Sequence, residues 1–276
     1  MNAVALGYNP LPLTLPIMQP LNTPTTIIGG NFEAINRLLA EGVFPFLAIG
    51  TLMLVSTLVG RLMCGWMCPF GFVQDIVSLA RSKATFVSTP THLNLTKIKY
   101  YVVVIALFFA ATLFTSRFYS WGDSYRAALG FLYPNPYFAF DQSMSLFVVV
   151  PYLAFYPAQN ALLPKAIGDL ANLNPFLIFR LGVLAFFLVI PAYIPRFWCR
   201  YFCPNGALTG LLGKHSILDI RMNKVRCESG CRECNDSCPM QIDIAGKITP
   251  LIQDTECIKC FNCVMACPHN ALKPSI

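Results

Sequence analysis

Charge is scarce in this chain. Asp, Glu, Lys and Arg make up 12% of its residues against 55% hydrophobic ones, and its mean hydropathy is +0.56. That balance excludes an ordinary soluble globular domain. Histidine is rarer still. Only His92, His215 and His269 occur, none within an apolar run, which excludes a membrane haem held between two histidines. A nucleotide-binding glycine signature is missing too, because Gly29-Gly30 and the stretch Gly210–Gly213 lack the strand–turn–helix setting. No cysteine stands alone. All twelve fall in spaced pairs or runs, which argues against a secreted disulfide scaffold and for metal or cluster ligation in a reducing compartment. The net charge of +7 reads as basic cytoplasmic loops of a membrane protein rather than as a nucleic-acid surface.

What is present concentrates at the C-terminal end. Cys227, Cys231, Cys234 and Cys238-Pro239 are followed by Cys257, Cys260, Cys263 and Cys267-Pro268. This is the ligand pattern of a ferredoxin with two [4Fe–4S] clusters. Three closely spaced cysteines on one loop reach three irons of a cubane, and the Cys-x3-Cys-Pro tail of the other half supplies the fourth thiolate. The expected ligand sets are therefore Cys227, Cys231, Cys234 and Cys267 for one cluster, and Cys257, Cys260, Cys263 and Cys238 for the other. A zinc site would use two pairs or a Cys/His mixture. Three residues rather than two separate Cys227 from Cys231, and Gly230 is placed to absorb the extra one.

Ahead of the tail the chain is apolar. Residues 1–42 read as a proline-rich arm on the outer surface, over residues 1–30, and a short amphipathic piece from Asn31 to Glu41. Candidate crossings run from Val43 to Gly60, from Tyr100 to Thr115 and from Pro175 to Pro195. The apolar piece Met144–Pro164 holds Pro151, Pro157, Gln159 and Asn160, and reads as interfacial or re-entrant. The basic loop from Arg61 to Lys99 belongs in the cytoplasm. Arg180, inside the last crossing, reads as snorkelling to head groups, with a contact to a quinone or anionic partner as the alternative. The expected fold is a mainly α integral membrane protein with three to four spanning helices. A membrane domain covers 43–213, and an α+β two-cluster ferredoxin-like domain covers 214–276.

A repeat lies inside the membrane domain. Arg61-Leu-Met-Cys64-Gly-Trp66-Met-Cys68-Pro69-Phe-Gly71 matches Arg196-Phe-Trp-Cys199-Arg-Tyr201-Phe-Cys203-Pro204-Asn-Gly206, 135 residues later. Each copy follows an apolar run, and Pro69 or Pro204 suits the first turn of a further helix. Cysteines at i and i+4 share one helix face. Three readings of Cys64, Cys68, Cys199 and Cys203 stay open: ligands of a further cluster or metal, redox dithiols whose pKa Arg61, Arg196 and Arg200 lower, or small packing residues. His215, beside the second copy, reads either as a surface residue or as an acceptor for a quinol proton.

With these motifs in this order, the chain resembles the NapH/MauN-type membrane ferredoxins, with NosR- and CcoG-like polyferredoxins as relatives. The resemblance covers roughly residues 43–270. It implies a multi-pass plasma-membrane subunit, its N-terminus outside and its cluster domain in the cytoplasm. Such a subunit passes electrons between the quinone pool or a cytoplasmic donor and membrane or extracytoplasmic redox partners. The alternative from the same relatives is a copper reductase or oxidase-assembly factor. Neither reading involves nucleic acid.

Overall fold

In the computed structural model, residues 13–18, 28–80, 87–119, 121–129, 175–228, 230–247 and 249–275 are described, together with Gln142, Ser145, Leu146 and Val150. Two short strands, β1 (Leu13–Leu15) and β2 (Ile28–Gly30), pair in parallel. They lead into α1 (Asn31–Ala40) and α2 (Phe46–Val59). The first cysteine motif folds as an elbow of α3 (Leu62–Trp66) and α4 (Pro69–Ser78). Next come α5 (Thr89–Leu95), α6 (Ile98–Ser116), α7 (Gly122–Leu129) and α8 (Pro175–Val189). The second motif repeats the elbow as α9 (Phe197–Tyr201) and α10 (Pro204–Leu212).

The helices at the candidate crossings are apolar all round, with exposed Met53, Leu54, Val104, Ile105, Phe108 and Phe186, as expected of faces that do not meet water. Among the described residues, the continuous stretch Thr89–Ser116 is long and apolar enough to cross a membrane, and Phe46–Val59 and Ile178–Ala192 are shorter apolar helices. Of the three to four crossings expected, the structure thus carries one of full length. Nearly all of Met144–Pro164 falls outside the described residues.

Two expectations change. The arm does not lie on an outer surface where it is described. Thr14, Ile17 and Met18 are buried, and Ile17 and Met18 share a core cluster with Cys68, Trp198, Cys199 and Cys203. The Ile17 carbonyl accepts a hydrogen bond from Asn205 Nδ2 at 2.8 Å. The physical reason is backbone satisfaction. The arm makes no helix there, so its carbonyls need donors, and the buried amide of Asn205 supplies one. α1 has the expected amphipathic pattern, with its polar Asn31, Glu33 and Asn36 buried along with Phe32, Ile35 and Leu38. Arg180 does not snorkel either. It is buried and its Nε donates to Ser145 Oγ at 2.6 Å.

The tail is a small α+β unit. β3 (Asp219–Met222) and β4 (Leu272–Ser275) pair antiparallel, with Ile220 opposite Pro274 and Met222 opposite Leu272. Between them, α11 (Glu233–Asp236) and α12 (Asn262–Met265) are single turns. The core of the unit is Ile220, Met222, Met240, Ile252, Ile258 and Leu272, with the tail cysteines around it.

Candidate iron–sulfur sites

Cys238 leaves the first half of the tail and stands among the cysteines of the second. Cys257 lies within electrostatic reach of Cys238 and Cys260, Cys260 of Cys238, and Cys263 of all three. These four sulfurs line one apolar cavity with Ile220 and Met240. Backbone N–H groups point at the sulfurs: Cys257 accepts from Lys259, Cys260 from Asn262, and Cys238 from Met240 and Ile242. Burial, and then the neighbouring thiols, push Cys257 and Cys263 up to about 12. Iron bound there would hold them as thiolates. An apolar hole, four convergent sulfurs and N–H donors aimed at them are what a cubane requires. Among the described residues, no three Cys, His, Asp or Glu side chains close to the distance of a single-ion site. Thiolates on four separate irons stand wider apart than the ligands of one ion.

In the other set, Cys234 lies near Cys227 and Cys231, and Cys267 Sγ accepts from the Ala271 N–H at 3.3 Å. Gly230 has φ +94 with open space where a Cβ would stand, so the extra residue between Cys227 and Cys231 is taken up by a left-handed turn that glycine adopts without strain. His269 is exposed and contacts Glu228 at 2.9 Å, and His215 is exposed.

The two elbows meet. Cys64, Cys68, Cys199 and Cys203 are all buried. Cys68 feels Cys199 and Cys64, Cys199 feels Cys64, and Cys203 feels the other three, so every pair of the four is in range. The expected helix-face pairing is replaced by a sharper geometry. Cys64 and Cys199 sit on α3 and α9, while Cys68 and Cys203 are the N-caps of α4 and α10, with proline next. The proline cannot continue the preceding short helix, because it has no N–H to donate to it, and so it starts a new one.

Contacts are exchanged between the copies. Arg61 Nη2 donates to the Cys199 carbonyl at 3.4 Å, and Arg196 Nη1 donates to the Cys64 carbonyl at 3.0 Å. Gln74 Nε2 donates to Cys199 Sγ at 3.3 Å, and its positional counterpart Thr209 has Oγ1 3.9 Å from Cys64 Sγ. Gly206 N–H donates to Cys203 Sγ at 3.3 Å, and Gly71 N–H donates to Cys68. Sequence reasoning missed Gln74 and Thr209, although they occupy equivalent places in the repeat.

Of the three readings left open, the dithiol one needs thiols poised low by the arginines, and here burial outweighs their pull. Burial pushes Cys68 up to about 12 and Cys199 up to about 11, and Cys203 well above its usual range. Arg196 pulls Cys199 down, but less than burial raises it. The guanidinium hydrogen bonds go to backbone carbonyls and carboxylates instead.

The elbows also hold the tail. Gly65 abuts the loop between Cys257 and Cys260, where a Cβ would meet the Ile258 carbonyl at 2.5 Å. Trp66 Nε1 donates to the Lys259 carbonyl at 3.2 Å. Arg61 Nη1 donates to the Thr255 carbonyl at 2.8 Å and pairs with Glu256 at 3.2 Å, and Lys99 pairs with the same carboxylate. Arg200 donates to Gln241 Oε1 at 3.1 Å and to the Pro239 carbonyl. The tail set that touches the elbows is thus the one with Cys238, Cys257, Cys260 and Cys263.

A family model described as a 4Fe–4S binding domain matches residues 41–86 and 176–224, and one described as a 4Fe–4S dicluster domain matches 219–268. An uncharacterized protein of Methanocaldococcus jannaschii is 28% identical over 86% of this chain and 72% of its own length. The ferredoxin-type protein NapH of Escherichia coli is 21% identical over 93% of this chain and 74% of its own. The chain is thus similar to the NapH-type ferredoxins and related polyferredoxins. Protein NirI of Paracoccus denitrificans, 29% identical over 72% of this chain, is matched over 24% of its length, so this chain corresponds to about a quarter of it. No solved structure matches. The family and the cysteine geometry together make this a 4Fe–4S ferredoxin-type electron-transfer protein.

Proposed function

We propose that this chain is a membrane-bound electron-transfer subunit with two [4Fe–4S] clusters in its tail. It passes single electrons between the quinone pool or a cytoplasmic donor and a partner redox enzyme. The observation that carries this reading is the apolar cavity shared by Cys238, Cys257, Cys260 and Cys263 directly beneath the two elbows. The ligand sets are Cys257, Cys260, Cys263 and Cys238 for the cluster next to the elbows, and Cys227, Cys231, Cys234 and Cys267 for the outer one. A cubane supplies one-electron chemistry with no bond made or broken. The protein contributes an isoleucine- and methionine-lined hole that keeps water off the sulfurs, and N–H donors that stabilise their negative charge.

A groove supports the quinone-pool reading. It is lined by Trp66, Phe72, Asp75, Arg196, Cys238 and Cys260, and Phe72, Ile76 and Leu79 beside it are exposed. Its lining thus combines exposed apolar side chains, the Arg196–Asp75 ion pair and two cysteines of the inner set. A quinone ring in this groove would lie close to the inner cluster, as the quinone-pool reading requires. The copper-reductase alternative needs thiols that an incoming ion can reach, and the four elbow thiols are buried.

The test uses the full-length chain, purified without oxygen in detergent. Addition of a quinol should produce the EPR signals of reduced [4Fe–4S] clusters, and Cys260→Ser should lose the inner signal. A preparation free of iron, or clusters that dithionite reduces but no quinol does, would remove the cluster reading or the quinone reading respectively.

A further inference from the structure

A basic cleft lies beside the outer cysteine set. Arg221, Lys224, Arg226, Asn270 and Lys273 line it, and among the described residues no Asp or Glu does. Arg226 directly precedes Cys227 in the chain. Ala271, also in the lining, donates its N–H to Cys267 Sγ at 3.3 Å. The cleft therefore borders two cysteines of the outer set. The bonds that shape it stay within the tail: the Asn223 N–H donates to the Ala271 carbonyl at 2.7 Å, and the Met222 N–H to the Pro250 carbonyl at 2.6 Å.

The charges stand there at a cost. Arg221 on β3 is directly opposite Lys273 on β4, and like charges opposite each other across a strand pair destabilise it. All four cations are exposed, and among the described residues none of them has an ion-pair partner. The carboxylates close by in sequence are engaged elsewhere. Glu228 contacts His269 at 2.9 Å, and Asp219 is buried and feels Lys259 and His215. Val225, between Lys224 and Arg226, is 96% exposed. A small anion gains nothing from an apolar side chain held in water. A protein surface does, because docking faces set apolar contacts inside a polar rim.

We infer that this cleft docks a small acidic electron-carrier protein, which exchanges single electrons with the tail beside the outer cysteine set. The inference rests on the reading of Cys227, Cys231, Cys234 and Cys267 as cluster ligands. Unpaired cations on an exposed face steer an oppositely charged partner, and they govern its association rate and salt dependence. When the tail is reduced, the carrier gives up one electron and the tail takes it up, with no bond made or broken and no proton moved. The inner set touches the elbows, so the two ends of the tail serve different partners.

The test uses the full-length protein purified without oxygen, with an acidic plant-type [2Fe–2S] ferredoxin as the carrier. Ferredoxin reduced beforehand and freed of reductant should reduce the tail with a second-order rate constant that falls steeply as salt rises. The combined Arg221→Glu, Lys224→Glu variant should lower that constant by about tenfold at low salt and flatten its salt dependence. Its iron content and its reduction by dithionite should match wild type. Lys224 lies outside β3, so Lys224→Glu alone, with a loss of about threefold, decides if the combined variant does not fold. Carbodiimide should join ferredoxin carboxylates to Lys224 and Lys273, a readout that needs no electron transfer. Equal rates and salt slopes in wild type and variants overturn the inference. So does shielding of Lys224 and Lys273 from acetylation in phosphatidylglycerol nanodiscs but not in phosphatidylcholine ones, because the cleft would then lie on lipid. Cross-links at both lysines on a tail without iron would support the docking and remove the cluster reading.

Discussion

Single residues decide how the tail is fastened. Glu256 is 12% exposed and takes both Arg61 and Lys99, which are 2% and 0% exposed. Glu256→Gln leaves two buried cations without their anion, and removing one partner of a buried pair costs about 3–5 kcal/mol. The expected outcome is a lower melting temperature and faster trypsin cleavage in the tail of the purified protein, with the cluster signals still present at low temperature. Gly230 makes a local prediction. At φ +94 an alanine is strained by about 1 kcal/mol. Gly230→Ala should therefore weaken the outer cluster, seen as faster loss of its EPR signal in air, while the inner signal is unaffected.

Among elements, the decisive contact is α3 against the Cys257–Cys260 loop. The backbones meet because Gly65 has no side chain, and Gly210 of α10 does the same against the Thr255 carbonyl. Overpacking such a contact costs about 1–3 kcal/mol. Gly65→Val should push the inner loop away from the elbow. In an electron-transfer assay from quinol, the rate into the tail clusters should fall by at least tenfold while their iron content stays unchanged. An unchanged rate would mean that electrons do not pass by this contact.

For the whole molecule, the tail is expected to owe its fold to bound iron–sulfur clusters. Its regular structure is two four-residue strands and two single helical turns, and its apolar core is interleaved with cysteines. Stripping iron with a chelator under oxidising conditions should unfold residues 219–275 and leave the helical part intact. Circular dichroism should show a small loss of signal, and proteolysis should become confined to sites such as Lys224, Arg226 and Lys247. A tail that stays protease-resistant without iron would contradict this.

The order of the sites was legible in the sequence because cluster ligands are fixed by spacing. Cys227 to Cys267 and the repeated Cys-Pro pairs announce themselves, and Gly230 marked the irregular turn. The apolar helices were legible for the same reason, since composition alone decides what can leave water. Other features were not legible. Glu256 as a shared anion, Arg61 and Arg196 crossing to the opposite copy, and the arm at Ile17 buried against the elbows are contacts between residues far apart in sequence. The net direction of the elbow thiol pKa shifts was not legible either, because neighbouring arginines can be seen in a sequence, whereas burial cannot. Sequence by itself determined the chemistry, because sulfur spacing and hydrophobic length are local quantities. Only the tertiary structure decided that the two elbows meet and which tail cysteines lie against them, because those answers depend on how distant segments pack.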